Sequence, residues 1–158
     1  MTSLGAGLRR TTPDRLAATE YAREYRKPDA RRISRAAALK AAKRGAAAMG
    51  LKGSKIALLD QLFAYTKRQD WTDDNVAPVV WPSNQALAHA LGVGISTMKH
   101  HLNGLVEAGL VAYSDGPTYQ RRGRRDEQDR IIEAAGIDLS PIAVRFAELT
   151  EMADMADH

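Results

Sequence analysis

The sequence has no cysteine. That excludes disulfide stapling and cysteine-ligated zinc, and it fits a reducing cytosol. No apolar run reaches membrane-spanning length, and no secretory apolar region follows residues 1–10, so a soluble, cytoplasmic protein with no membrane partner is expected. A phosphate-binding glycine loop is also missing, because Gly92-Val93-Gly94 lacks the lysine that should follow it and lies between two short helical signals. His100 and His101 are adjacent, so on a helix their side chains diverge by about 100° and make poor co-ligands of one metal. Tyr21, Tyr25, Tyr65, Tyr113 and Tyr119 stand near no histidine cluster of the kind a strand-nicking tyrosine needs. No enzyme activity, cofactor or metal is expected.

Charge is what the chain has in abundance, and it is unevenly placed. The net charge is +4 over 158 residues. Residues 1–55 carry 14 Lys or Arg against four Asp or Glu, residues 56–125 carry seven against six, and residues 126–158 carry two against nine. A basic first third suggests an arm along a phosphate backbone, with Arg31, Arg32, Arg35, Lys52 and Lys55 as its candidate contacts. The acidic end is expected to face away from nucleic acid. The four carboxylates of the basic first third, and its continuity with the next helix, argue against a transit peptide there.

The most informative stretch is Ser83 to Val111. Ala86, Leu87, Ala90 and Leu91 recur at helical intervals, and Ser83 or Asn84 after Pro82 offers a capping oxygen, so a helix is predicted over roughly Asn84 to Leu91. Glycines at 92 and 94 permit a tight turn, with Val93 free to point inward. Apolar residues resume at Ile95, Met98, Leu102, Leu105 and Val106 as one stripe. The opposite face carries Ser96, Thr97, Lys99, His100 and Asn103, with no carboxylate before Glu107. Hydroxyls, amides and a lysine suit base edges and phosphates, so these five are the candidate recognition residues, with Ser83 and Asn84 at the start of the preceding helix. His101 is expected at the helix boundary.

Gly109 ends the second helix and a β-prone run follows. Ser114-Asp115-Gly116-Pro117 is a turn signal between Leu110 to Tyr113 and Thr118 to Arg121, predicting a hairpin wing. Tyr119, Arg121, Arg122, Arg124 and Arg125 are its candidate DNA contacts. A third strand is expected at Pro78 to Pro82, confined to an edge by its prolines, with Trp81 as a core anchor.

Three further helical signals precede this unit. One runs from Pro13 to about Tyr25; a second, capped by Ser34, runs from Arg35 to Met49, is alanine-rich and is interrupted by Gly45; a third follows Ser54 as its cap. The alanine-rich helix is expected to bury little surface. Gln69 to Asn75 reads as a polar loop. Ser140-Pro141 starts a C-terminal helix, expected to pack back on the domain because Ile131, Ile132 and Ile137 also need burial. The expected class is mainly α with a small β wing, an α+β winged helix-turn-helix with a helical N-terminal arm and a C-terminal helix. Its divisions are a basic helical arm over residues 1–50, a DNA-binding domain over 51–125 and an acidic extension over 126–158.

Several segments together resemble a known family: Leu51 to Asp60, Val80-Trp81-Pro82-Ser83-Asn84, Leu105 to Leu110, and Gly136-Ile137-Asp138-Leu139-Ser140-Pro141. In this order they are similar to the N-terminal domain of replication protein C, the plasmid replication initiators of repABC-type operons in alphaproteobacteria. The resemblance extends from about Arg9 to Leu149. It implies sequence-specific binding of double-stranded DNA at a plasmid origin, which in this family lies inside the initiator's own coding region. It also implies recruitment of host replication proteins. The family continues into a C-terminal domain and this sequence stops soon after Leu149, so a shortened form is expected, in which DNA binding is retained and initiation competence is in question. A dimer on DNA is a further expectation. Two other readings stand beside it: a winged-helix transcription regulator at a promoter operator, and a protein-interaction module without DNA affinity. The polar face from Ser96 to Asn103 argues against the last.

Overall fold

The computed structural model describes residues 13–114 and 120–157. The class is α+β, mostly helical with two small antiparallel sheets. Helices α1 (Pro13–Tyr25), α2 (Arg35–Ala48) and α3 (Gly53–Ala64) come first. Ser34 caps α2 by accepting from the Ala37 amide at 3.1 Å, as expected. The cap of α3 is Lys52, whose side chain makes no capping bond, so Ser54 falls inside the first turn instead.

The first two helices do not form a separate arm. Ala18, Ala22 and Tyr25 of α1, and Ala38, Ala41, Ala42 and Ala46 of α2, belong to the same buried core as Leu58, Leu62, Leu87 and Leu102. Small side chains make this burial feasible, because they let another helix approach closely. Gly45 does not break α2. A Cβ there would lie 2.7 Å from Leu149 Cδ2, so the residue is a seat for the C-terminal helix.

The segment expected as a polar loop contains a helix, α4 (Arg68–Thr72). Trp71 drives it inward: its ring stacks on Phe63 with centroids 5.2 Å apart, and its Nε1 donates to Thr66 Oγ1 at 3.2 Å. Thr66 is buried and donates its own hydroxyl to the Phe63 carbonyl at 2.8 Å, so every polar atom drawn in by the tryptophan finds a partner. Strand β1 (Val79–Val80) follows, then α5 (Asn84–Leu91), α6 (Ile95–Glu107) and β2 (Ala112–Tyr113).

The predicted hairpin pairing is corrected by the strand order. Among the described residues β2 pairs with a later strand and not with the one that follows it, and Thr118 and Tyr119 of the expected partner lie outside them. That next strand, β3 (Arg122–Arg125), pairs with β4 (Ile131–Ala135), and β5 (Ile137–Asp138) inserts between β1 and β2. The expected turn at 115–117 lies outside the described residues, and the turn that does close a hairpin is Asp126 to Arg130. There Asp126 Oδ1 accepts from the Gln128 and Arg130 amides at 2.9 Å, and Asp129 adopts φ 64°. β1 is an edge strand, in keeping with its flanking prolines. Ile132 is the unpaired extra residue of a bulge, because Arg124 faces Glu133 and Arg125 faces Ile131. The bulge breaks the two-residue alternation, which leaves Ile132 exposed where burial was expected.

The C-terminal segment packs back, as two helices rather than one: α7 (Ser140–Val144) and α8 (Phe146–Ala156). The break is at Arg145, whose Nη1 donates to the Ala108 and Gly109 carbonyls at 2.7 and 3.1 Å and whose guanidinium sits 5.2 Å from the centre of the Tyr21 ring. A cation is thereby placed on the negative end of α6. Asp138, 1% exposed, is held by Arg26 at 2.9 Å and accepts from the Ser140 amide at 2.8 Å, joining α1 to the start of α7. Leu149 is fully buried against α2. Leu149→Ala is expected to lower stability by about 2–5 kcal/mol, because α2 cannot collapse into the space left at Gly45. Urea unfolding checks this, and a loss under about 1 kcal/mol would mean that α8 docks without that contact.

Candidate nucleic-acid interface

Helices α5 and α6 are joined by a turn whose geometry follows from its residues. Ser83 caps α5 by accepting from the Ala86 amide at 3.0 Å, and Gly92 ends it at φ 69°, a left-handed conformation that glycine adopts without cost from a Cβ. Val93 is half-buried against the core. Met98, Leu102, Leu105 and Val106 bury one side of α6, while Ile95, expected in the same stripe, is 43% exposed in its first turn.

Ser96, Thr97, Lys99 and His100 are all exposed on the other side of α6. Asn103 is half-buried and engaged: its amide oxygen accepts from Arg15 Nη2 at 3.1 Å and from the Tyr113 hydroxyl. Lys55 does not reach freely into solvent. Its stem crosses α6 at Gly104, where a Cβ would lie 2.3 Å from Lys55 Cε. Lys52 and Arg31 are exposed.

Two of the expected backbone contacts, Arg32 and Arg35, are engaged within the protein. Arg32 lies over the Tyr25 ring at 3.9 Å and donates to the Tyr25 and Asp74 carbonyls, so its guanidinium closes the loop between α1 and α2. Arg35 donates to Thr66 Oγ1 at 3.1 Å and to the Phe63 carbonyl at 2.9 Å, tying α2 to the end of α3.

The arginines of the hairpin divide by side. Arg125, expected as a DNA contact, is engaged within the protein: its two Nη atoms meet the fully buried Asp70 at 2.9 and 2.8 Å, and that pairing favours its charged form. Arg121 reaches the start of α5, donating to the Pro82 carbonyl at 3.1 Å and to Asn84 Oδ1. Gly123 lies against the ring of Trp81, which a Cβ would approach to 2.2 Å. Trp81 is therefore a half-buried platform for the hairpin, and the buried tryptophan of the core is Trp71. Arg122 and Arg124, on the alternate side of β3, are exposed. Tyr119 lies outside the described residues.

Residues 9–158 match the family described as Replication protein C N-terminal domain. The chain belongs to that family. Two curated relatives are each described as "Putative replication protein C". The one from Rhizobium rhizogenes is 35% identical over 112 residues, covering 69% of this chain and 27% of the relative. The one from Sinorhizobium fredii is 30% identical over 106 residues, covering 66% and 26%. This replication protein C domain thus spans about a quarter of the length of the curated relatives it matches. No solved structure matches it significantly. Among the described residues, no helix is long and apolar enough to cross a membrane.

Sequence reasoning missed three residues of this candidate interface. Asp70, Arg15 and Tyr113 are brought to it by tertiary packing. Only Asp70 carried a local signal, an acidic residue three positions after Lys67, whose amide it caps at 2.8 Å.

His101 borders the exposed face of α6. Its Nδ1 is buried without a hydrogen-bond partner among the described residues, and burial, then the nearby charges of Lys55 and His100, hold its imidazole below the ordinary histidine value. The unfolded chain therefore binds a proton at a pH where the folded one does not. This contribution to stability is present above about pH 6.5 and is lost as pH falls towards the depressed folded value. His101→Gln is expected to flatten that part of the stability profile, measured by urea unfolding at a series of pH values. An unchanged slope would place the acid sensitivity elsewhere.

Proposed function

We propose that this domain binds double-stranded DNA in a sequence-specific way, as the N-terminal part of a plasmid replication initiator acting at its origin in the cytoplasm. One observation carries the reading. The exposed side of α6 offers Ser96, Thr97, Lys99 and His100 with no acidic residue before Glu107, and a hairpin held at the start of α5 by Arg121 turns Arg122 and Arg124 outward. A helix of this width fits a major groove, and a two-stranded ribbon of arginines fits the adjoining phosphates or minor groove. In this proposal α5 and α6 are a helix-turn-helix and the β3–β4 hairpin is its wing, so the fold is a winged helix.

The assignment of roles follows from exposure. Lys99 and its neighbours read base edges, and Arg122 and Arg124 neutralise phosphates. Exposed Lys52 and Arg31 add to the backbone field, while Ser83, Asn84 and Arg121 hold the helix start against the wing. Family membership supports the origin as the target, and the relatives' printed description supports replication as the process. Dimerisation on DNA and contacts with host replication proteins are part of the same proposal, the latter assigned to the rest of the full-length relatives.

Binding to fragments tiled across the protein's own coding region and upstream sequence, against random duplex, tests it. Tight and selective binding inside the coding region supports the initiator reading. Selectivity confined to upstream DNA would replace it with a transcription regulator, and no affinity for any fragment would remove DNA as the partner.

Two variants separate the two contacts. Lys99→Ala is expected to cost about 1–3 kcal/mol on the selected fragment and to relax its selectivity. Arg122→Ala with Arg124→Ala is expected to weaken selected and random DNA alike and to lower the salt slope by about two. Equal losses of specific and random binding in both variants would remove base reading from α6.

A further inference from the structure

Asn103 follows Ser96 and Lys99 by seven and four positions, so it shares their side of α6. Its amide oxygen is saturated. Arg15 Nη2 from α1 donates to it at 3.1 Å, and the hydroxyl of Tyr113 from β2 donates to it as well. An amide oxygen has two acceptor positions, and these two donors fill both.

The orientation of the amide follows from chemistry as well as from position. A guanidinium has donors only, so the Asn103 atom that faces Arg15 must be the oxygen and not the nitrogen. Arg15 is itself held above the Tyr113 ring, 5.6 Å from its centre, so the three side chains brace one another across three elements. What remains is Nδ2 with its two hydrogens. Among the described residues nothing accepts from it.

The common way for asparagine to read DNA is bidentate pairing with adenine, its oxygen accepting from the N6 amino group while its nitrogen donates to N7. That pairing requires a vacant acceptor. Guanine presents two neighbouring acceptors, O6 and N7, and thymine presents O4, so a group that can only donate matches these. Adenine would set its amino group against an oxygen with no room for it.

Resting on the DNA-binding reading above, we propose that Asn103 is a donor-only specificity residue, held so by Arg15 and Tyr113, selecting guanine or thymine and rejecting adenine at one position of the site. Arg15 and Tyr113 act through Asn103 as positioning residues. They place α1 and the base of the sheet in control of what α6 reads.

The test is selection from a randomised duplex library by the whole chain and three variants, with melting temperatures recorded. Asn103→Asp keeps the shape and both internal bonds, now to a carboxylate, but presents an acceptor where the donor was. It is expected to melt no lower than wild type, to lose at least about tenfold in affinity for the wild-type motif, and to lose the guanine or thymine preference at one position. Arg15→Met, or Tyr113→Phe if the first weakens the fold, vacates one acceptor position and is expected to admit adenine on the strand that carries the guanine or thymine in the wild-type motif, so that the pair is accepted in both orientations.

An Asn103→Asp protein that selects the wild-type motif with unchanged affinity would overturn the proposal. So would a wild-type motif with an A·T pair at the position that Asn103→Ala alone relaxes, if 7-deazaadenine in that pair weakened wild-type binding, since Asn103 would then be donating to adenine N7 with its oxygen released to accept from N6. A wild-type protein that selects no motif at all would remove the DNA-binding reading itself, and this inference with it.

Discussion

The carboxylate of Asp70 is sealed from solvent, and everything about the hairpin follows from how its charge is met. Arg125 reaches it from β3 with two parallel hydrogen bonds, and the Lys67 amide supplies a third. A buried ion pair of this kind is weak evidence for stability in itself, since the cost of desolvating both charges offsets much of their attraction. Its geometry is nonetheless demanding. Only one position of the hairpin against α4 satisfies both oxygens, so the pair sets where the ribbon lies. Around the same junction, Lys67 pairs with Asp129 at 3.2 Å and Gln69 donates to the Gln128 carbonyl at 2.9 Å, so the hairpin turn rests on α4 as well.

That fixed position gives β3 its two faces. With Arg125 turned inward to Asp70 and Gly123 flat against Trp81, strand alternation leaves Arg122 and Arg124 no direction but outward. Four arginines that look equivalent in composition therefore differ in kind: Arg121 and Arg125 locate the hairpin, and Arg122 and Arg124 carry its exposed charge. The same division runs through the basic first third of the chain. Arg26, Arg32 and Arg35 spend their donors on Asp138, on loop carbonyls and on Thr66, and the positive charge left for a polyanion is smaller than a count of residues suggests.

α6 is held at its C-terminal end and from one side. Arg145 occupies the carbonyls at its C-terminus, and Arg15 with Tyr113 holds Asn103 from the side. Since Arg145 also stacks on Tyr21, α1 touches both devices, and the N-terminal helix belongs to the same mechanical unit as the proposed reading helix.

Local chemistry was enough to place α1, α2, α5 and α6, because each depends on contacts within one turn of helix: the Ser34 and Ser83 caps, the left-handed glycine at 92 and the three-and-four spacing from Met98 to Val106. The edge position of β1 and the presence of a basic ribbon were legible for the same reason, since proline and arginine act through their own bonds. The pairing of the strands was not, because β5 lies far along the chain from β1 and β2 and nothing near either strand names its partner. Nor was the fate of the individual charges legible. Whether an arginine faces DNA or a buried carboxylate depends on what folding brings within about 3 Å of it, and Asp70 with Arg125, or Arg15 with Asn103, meet only when helices far apart in sequence close on one core. The sequence by itself determined which residues the candidate interface could draw on; the tertiary structure decided which of them remain free to use it, because a hydrogen-bond donor already spent inside the protein has little left to offer a ligand.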